Sequence, residues 1–112
     1  MEKFFDESAI DRLTALGGDK LVREIMDYFF SQVPQKIDSA RAAVHDLKTV
    51  ERAAHSIKSS AGNLGAIHLQ KLAGDIEQMA VQNLGQPVPT LIEEMQDAFD
   101  RVSVVLKAKR PA

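Results

Sequence analysis

The sequence predicts an all-α domain: an antiparallel up-down four-helix bundle with a short extra N-terminal helix capping one end. Two observations lead there. Apolar residues recur every three to four positions through almost the whole chain, and no segment alternates with the two-residue period of a strand. The breaks between periodic stretches are short and carry capping or turn residues, as expected where antiparallel neighbours in a bundle are joined. With 112 residues the chain suffices for one modest core. It reads as a single domain over residues 1–112, with 1–5 and 108–112 expected to fray.

Each element follows from local signals. Asp6 is a good N-cap for a short helix carrying Ile10, Leu13 and Leu16, which Gly17-Gly18 ends. A longer helix begins near Asp19 with the stripe Leu21, Val22, Ile25, Met26, Phe29, Val33, Ile37, Ala40 and Val44. The stripe keeps helical spacing across Pro34, which favours one kinked helix over a break at residues 32–34. Asp46 reads as the cap of the third helix, which should end near Gly65. The fourth buries Leu69, Leu72, Ala73, Ile76, Met79 and Ala80 and stops around Asn83 to Gly85. After the loop at residues 85–89, Thr90 and Glu93 read as a capping box for the last helix, with an earlier start if Pro89 is already helical. That helix carries Leu91, Ile92, Met95, Ala98, Phe99, Val102, Val105 and Leu106.

Composition removes several function classes. There is no cysteine, so disulfide, thiol and Cys-based metal chemistry are absent. Fourteen basic residues against sixteen acidic give a net charge of −2, which argues against a nucleic-acid surface. The basic residues Lys107, Lys109 and Arg110 read as a solvated end. Charge interrupts the first residues too early for a signal peptide, and no apolar run is long enough to span a bilayer. A cytoplasmic domain without a membrane segment is the expectation. No Walker-type loop or glycine-rich nucleotide lid is present. His45 and His68 stand ten and thirteen residues from His55, spacings that do not build a metal site on one helical face.

The informative stretch is residues 54–66. On a helical projection of about 100° per residue, His55, Lys58, Ser59 and Gly62 fall within about 100° of one another. Val50, Ala54, Ile57, Ala61 and Leu64 form a separate apolar stripe about 140° away. The histidine therefore points away from the core, beside a cation, on a face kept bare by small residues. A glycine inside a helix costs about 1 kcal/mol relative to alanine, so Gly62 asks for a reason, and close approach by another protein is one. Lys48, Arg52 and Glu51 project along the same face, and Glu51 has the spacing to pair with Lys48 or His55. Tyr28 lies opposite the apolar stripe of its own helix, as a docking residue or packed on the first helix.

This stretch resembles the signature of histidine phosphotransfer (HPt) domains, the carriers of two-component phosphorelays. The matching residues are His55, Lys58, the small residues Ser59 to Gly62, Gly65 and Leu69. Ala54 and Ala66 also fit, whereas Ser59 stands where the family often has glycine. The resemblance implies that His55 is phosphorylated at Nε2 and that Lys58 offsets the phosphoryl charge. It also places Glu77 where the family often has Gln or Glu near the histidine, to accept from Nδ1–H. The face of Ser59, Gly62, Arg52, Lys48 and Tyr28 would meet the partner. The implied partners are response-regulator receiver domains and a hybrid sensor histidine kinase, met by a monomer. The chain itself would need no cofactor, because Mg²⁺ belongs to the receiver. The expected activity is that of a phosphocarrier and not an enzyme: phosphoryl arrives from one receiver's aspartyl-phosphate and leaves to another receiver's aspartate. A helical interaction module with an incidental histidine is the alternative; a general-base enzyme lacks a partner acid or a phosphate loop.

Overall fold

The computed structural model describes residues 4–112. Four helices follow in order: α1 (Ser8–Ala42), α2 (Leu47–Asn63), α3 (Ile67–Val81) and α4 (Val88–Lys109). No strand occurs among the described residues. Each helix packs on its neighbours in the chain, and α1 also packs on α4, while the backbones of the diagonal pairs stay further apart. Four amphipathic helices thus close a ring around one core.

The long α1 is two arms joined at Gly18, which departs from helical geometry with φ 69° and ψ −167°. Only a residue without Cβ takes that conformation readily, so the expected end of the first helix at Gly17-Gly18 is a sharp bend. The second arm then runs through Pro34 without a break. It buries Val22, Met26, Phe29, Val33, Ile37 and Ala40. In the first arm the core-facing residue is Ala9, with Ile10 and Leu13 half-buried. Leu16, expected on the stripe, is 80% exposed, because the bend at Gly18 ends the arm before that side chain reaches the bundle. Asp6 Oδ1 accepts from the backbone N–H of Ser8 at 3.0 Å.

The connection from α2 to α3 turns on Gly65, at φ 71°. Its carbonyl accepts the Asp6 N–H at 2.7 Å. A Cβ at Gly65 would overlap the Asp6 carbonyl oxygen and press on Ala9. The turn therefore needs glycine twice, for its left-handed φ and for the close approach of the first arm.

At the start of α2, Asp46 accepts from the Thr49 backbone N–H at 3.3 Å and from its hydroxyl at 2.8 Å. The capping box expected at Thr90 is not formed. α4 begins at Val88 with Pro89 in its first turn, where a missing N–H costs nothing. Thr90 is consequently inside the helix, and Glu93 pairs with Arg41 of α1. The basic tail makes contacts with α1 and the residue before it. Arg110 forks onto Asp27 with two bonds of 2.8 Å, Lys109 pairs with Glu7, and Arg23 reaches the carbonyl oxygen of Ala112. At the other end Phe4 and Phe5 are half-buried against the core, with Arg101 stacked 5.0 Å over the Phe4 ring. The expected fraying of residues 1–3 lies outside the described residues.

Candidate functional site

α2 positions the site because its two faces are chemically separate. Val50, Ala54, Ile57, Ala61 and Leu64 are fully buried and fix the helix rotation. That rotation turns His55 outward with a side chain 62% exposed. Ala53, not assigned to the stripe by spacing, is buried as well.

The imidazole is nevertheless held. Its Nδ1 lies 2.7 Å from Glu77 Oε2, and Lys58 Nζ lies 2.6 Å from Glu77 Oε1. Glu77 reaches both because it stands at the edge of α3's apolar face, with its side chain only 19% exposed. The Lys58 hydrogen bond and, behind it, the one from His55 hold the Glu77 carboxyl below the usual glutamate range, partly opposed by desolvation. An ionised carboxylate only accepts hydrogen bonds. The proton of the neutral ring therefore sits on Nδ1, and the Nε2 lone pair is left free toward solvent.

α2 and α3 meet in a regular antiparallel register. Going up α2, His55, Lys58 and Gly62 face, in turn, Glu77, Gly74 and Gln70 going back down α3. The polar side chain comes from α2 at Lys58, whose Cδ lies 3.5 Å from where a Gly74 Cβ would be. At Gly62 it comes from α3: Gln70 Nε2 lies 2.9 Å from the equivalent Cβ position. Gly62 is thus half-covered, not bare to solvent as its helical projection suggests.

Glu51, Arg52, His55, Ser56 and Glu77 line one open hollow. Ser59 is exposed on the turn between His55 and Gly62, and Lys48 is exposed nearer the start of α2. Tyr28 is 58% exposed and lines a different shallow cavity with Glu24, Ile25, Ser60 and Asn63; the structure does not bring it to the hollow of His55. Spacing along the chain missed Gly74 and Gln70. The available signal was Gly74 itself, a glycine inside a helix as unexplained as Gly62. Among the described residues no group of three His, Cys, Asp or Glu side chains is arranged to hold a metal ion. No helix among them is long and apolar enough to cross a membrane.

Known proteins share this sequence pattern and fold. The sequence is 28% identical over 109 residues to the aerobic respiration control sensor protein ArcB of Escherichia coli O157:H7. The same identity holds for ArcB of E. coli K12 and of Shigella flexneri. The match takes in 96% of this chain but only 14% of those proteins' length. The crystal structure of histidine-containing phosphotransfer protein B (HptB) from Pseudomonas aeruginosa PAO1 superposes with a TM-score of 0.90. That superposition covers 98% of this chain and 96% of the other, at 26% identity. The Hpt domain model matches residues 24–104, a span that holds α2, α3 and the His55–Glu77–Lys58 group, and the chain belongs to the Hpt domain family of two-component phosphorelays.

Proposed function

We propose that this protein is a phosphorelay carrier that takes a phosphoryl group on His55 Nε2 from a receiver domain's aspartyl-phosphate and delivers it to another receiver's aspartate. The observation that carries the reading is the hydrogen bond from His55 Nδ1 to an ionised Glu77, which leaves Nε2 free and outward-facing. In the accepting step the Nε2 lone pair attacks phosphorus. The N–P bond forms as the P–O bond to the aspartyl oxygen breaks, and the aspartate leaves as a carboxylate. Delivery is the same exchange in reverse, onto a different aspartate. Lys58 lies close enough to meet the added charge. Mg²⁺ on the receiver would supply most of the transition-state stabilisation, because phosphoryl transfer depends mainly on positioning and charge.

The protein acts without nucleotide chemistry of its own, as a monomer in the cytoplasm, between receivers and a hybrid sensor kinase. Similarity to a sensor protein supports the two-component partners. The ring of helices and the antiparallel α2–α3 seam support an up-down bundle with the first arm laid across the α2–α3 end. Ser59, Gly62 and Arg52 form the docking face around His55, with Lys48 and Tyr28 at its margins.

The test is incubation with a phosphorylated receiver, followed by assay for acid-labile, base-stable phosphate on this chain. Wild type should label and His55→Gln should not, with melting nearly unchanged because the ring is exposed. Receiver binding without label on wild type would favour the interaction-module reading.

A further inference from the structure

We propose that Gly74 is a positioning residue: it is the seat on α3 for the aliphatic stem of Lys58, and it keeps that ammonium beside Glu77. Glycine is among the poorest residues for a helix interior, yet Gly74 stands in the middle of α3. It is not there for its backbone, since positive φ among the glycines is confined to Gly18 and Gly65. It is not there for close backbone packing either. Of the atoms around it, a Cβ would come within 4 Å of Lys58 Cδ alone, at 3.5 Å. What the position lacks is a side chain, and what fills the space is the lysine stem. An ordinary contact at that distance admits alanine, while a longer side chain would compete with the stem for the space beyond it. One turn on, the ammonium meets Glu77 Oε1 at 2.6 Å. The seat and the carboxylate together hold the outer end of the lysine, from Cδ to Nζ, on the side of α3 that faces His55.

The geometry stands by itself, while its consequence for transfer rests on the phosphocarrier reading. Lys58 and His55 of α2 are the groups bonded to Glu77, and Glu51 and Arg52 line the same hollow. The Lys58 hydrogen bond is the largest influence lowering the Glu77 titration, so the midpoint of Glu77 reports where the lysine sits.

The experiment follows Glu77 by carboxyl NMR titration in wild type, Lys58→Ala, Gly74→Ala, Gly74→Leu and Gly74→Gln. Folding is checked by circular dichroism. Lys58→Ala should move the midpoint up toward the ordinary value near 4.5 and sets the full size of the effect. Gly74→Leu and Gly74→Gln should move it the same way, and Gly74→Ala should leave it in place. Adding Gly74→Leu to Lys58→Ala should produce no further shift, since the two changes act through one group. Phosphoryl acceptance from a small phosphodonor should fall in Gly74→Leu to within about twofold of the Lys58→Ala rate. An unmoved midpoint in both long-side-chain variants, folded, would overturn the seat, as would a full extra shift in the Lys58→Ala background. Absence of label on wild-type His55 would overturn the phosphocarrier reading instead, because the titration involves no phosphoryl group.

Discussion

The α1–α4 seam and the α2–α3 seam of this ring are built on opposite principles. Where α1 meets α4, Phe29 packs on Phe99 with centroids 5.2 Å apart, flanked by buried Met26, Val33, Met95 and Val102. Ion pairs sit only at the exposed margin: Asp27 with Arg110, and Arg41 with Glu93. Where α2 meets α3, the outer edge carries two glycines, Gly74 in the middle of α3 and Gly62 in the last turn of α2, each covered by a polar side chain from the facing helix, and a histidine and a lysine sharing one carboxylate. The first seam exposes little chemistry. The second buries an apolar face of its own, from Val50 to Leu64 on one side and Leu69 to Ala80 on the other, gives up about 1 kcal/mol of helix propensity at Gly74, and carries an ordered, reachable nucleophile at its edge.

The largest effect should come from breaking the apolar seam. Phe29→Ala removes a fully buried ring and should cost about 3–5 kcal/mol, read as a lower urea midpoint. The molecules that remain folded should still label on His55, since no atom of the site is touched.

Breaking the polar seam should do the reverse. Glu77→Gln keeps an acceptor for Nδ1–H but loses the ion pair to Lys58. Phosphoryl acceptance should slow on the order of tenfold, short of the ~10²–10⁴ of a full proton-transfer group. Stability should fall by about 1 kcal/mol, since both partners of the largely covered Glu77 carboxylate reach solvent. The sign of the pH dependence follows from the lowered Glu77 titration. The folded carboxyl binds its proton less readily than the unfolded one, so the Glu77 contribution is present above about 4.5. It is lost as pH falls through the lower folded value. The stability difference between wild type and Glu77→Gln should therefore shrink as pH falls below about 4.5.

Gly62→Leu sharpens the contrast within the polar seam. A Cβ there meets the flexible end of Gln70, which can swing outward, and at the end of α2 the glycine replaced returns less than the roughly 1 kcal/mol of a helix interior. The protein should stay folded and accept phosphoryl from a small donor, while transfer from a receiver is impaired. Unimpaired receiver transfer would remove Gly62 from the docking face. The smallest effect belongs to Arg110→Ala at the margin of the apolar seam. It should lower the melting temperature slightly at low salt and not at all at high salt, because the pair with Asp27 is exposed and screened.

The sequence by itself determined whatever depends on neighbours three or four positions away. The stripe from Val50 to Leu64 set the rotation of α2, and with it the outward aim of His55. Asp46 capped the same helix because its carboxylate reaches its own first turn, and Gly17-Gly18 marked the bend in α1. The motif from His55 to Leu69 carried the family. Tertiary structure decided what depends on which helix lies alongside. The family resemblance alone points to Glu77; only the register of α3 against α2 brings its carboxylate to both His55 and Lys58. The same register puts Gln70 over Gly62 and Lys58 over Gly74, where a single-helix projection sees open solvent. Leu16 left the core because of a bend beyond it, and the basic tail makes its contacts because Asp27 and Glu7 lie within reach on α1 and just before it. Periodicity fixes which way a side chain faces on its own helix; its partners across a seam are set by the offset between two helices, and no local spacing records that offset.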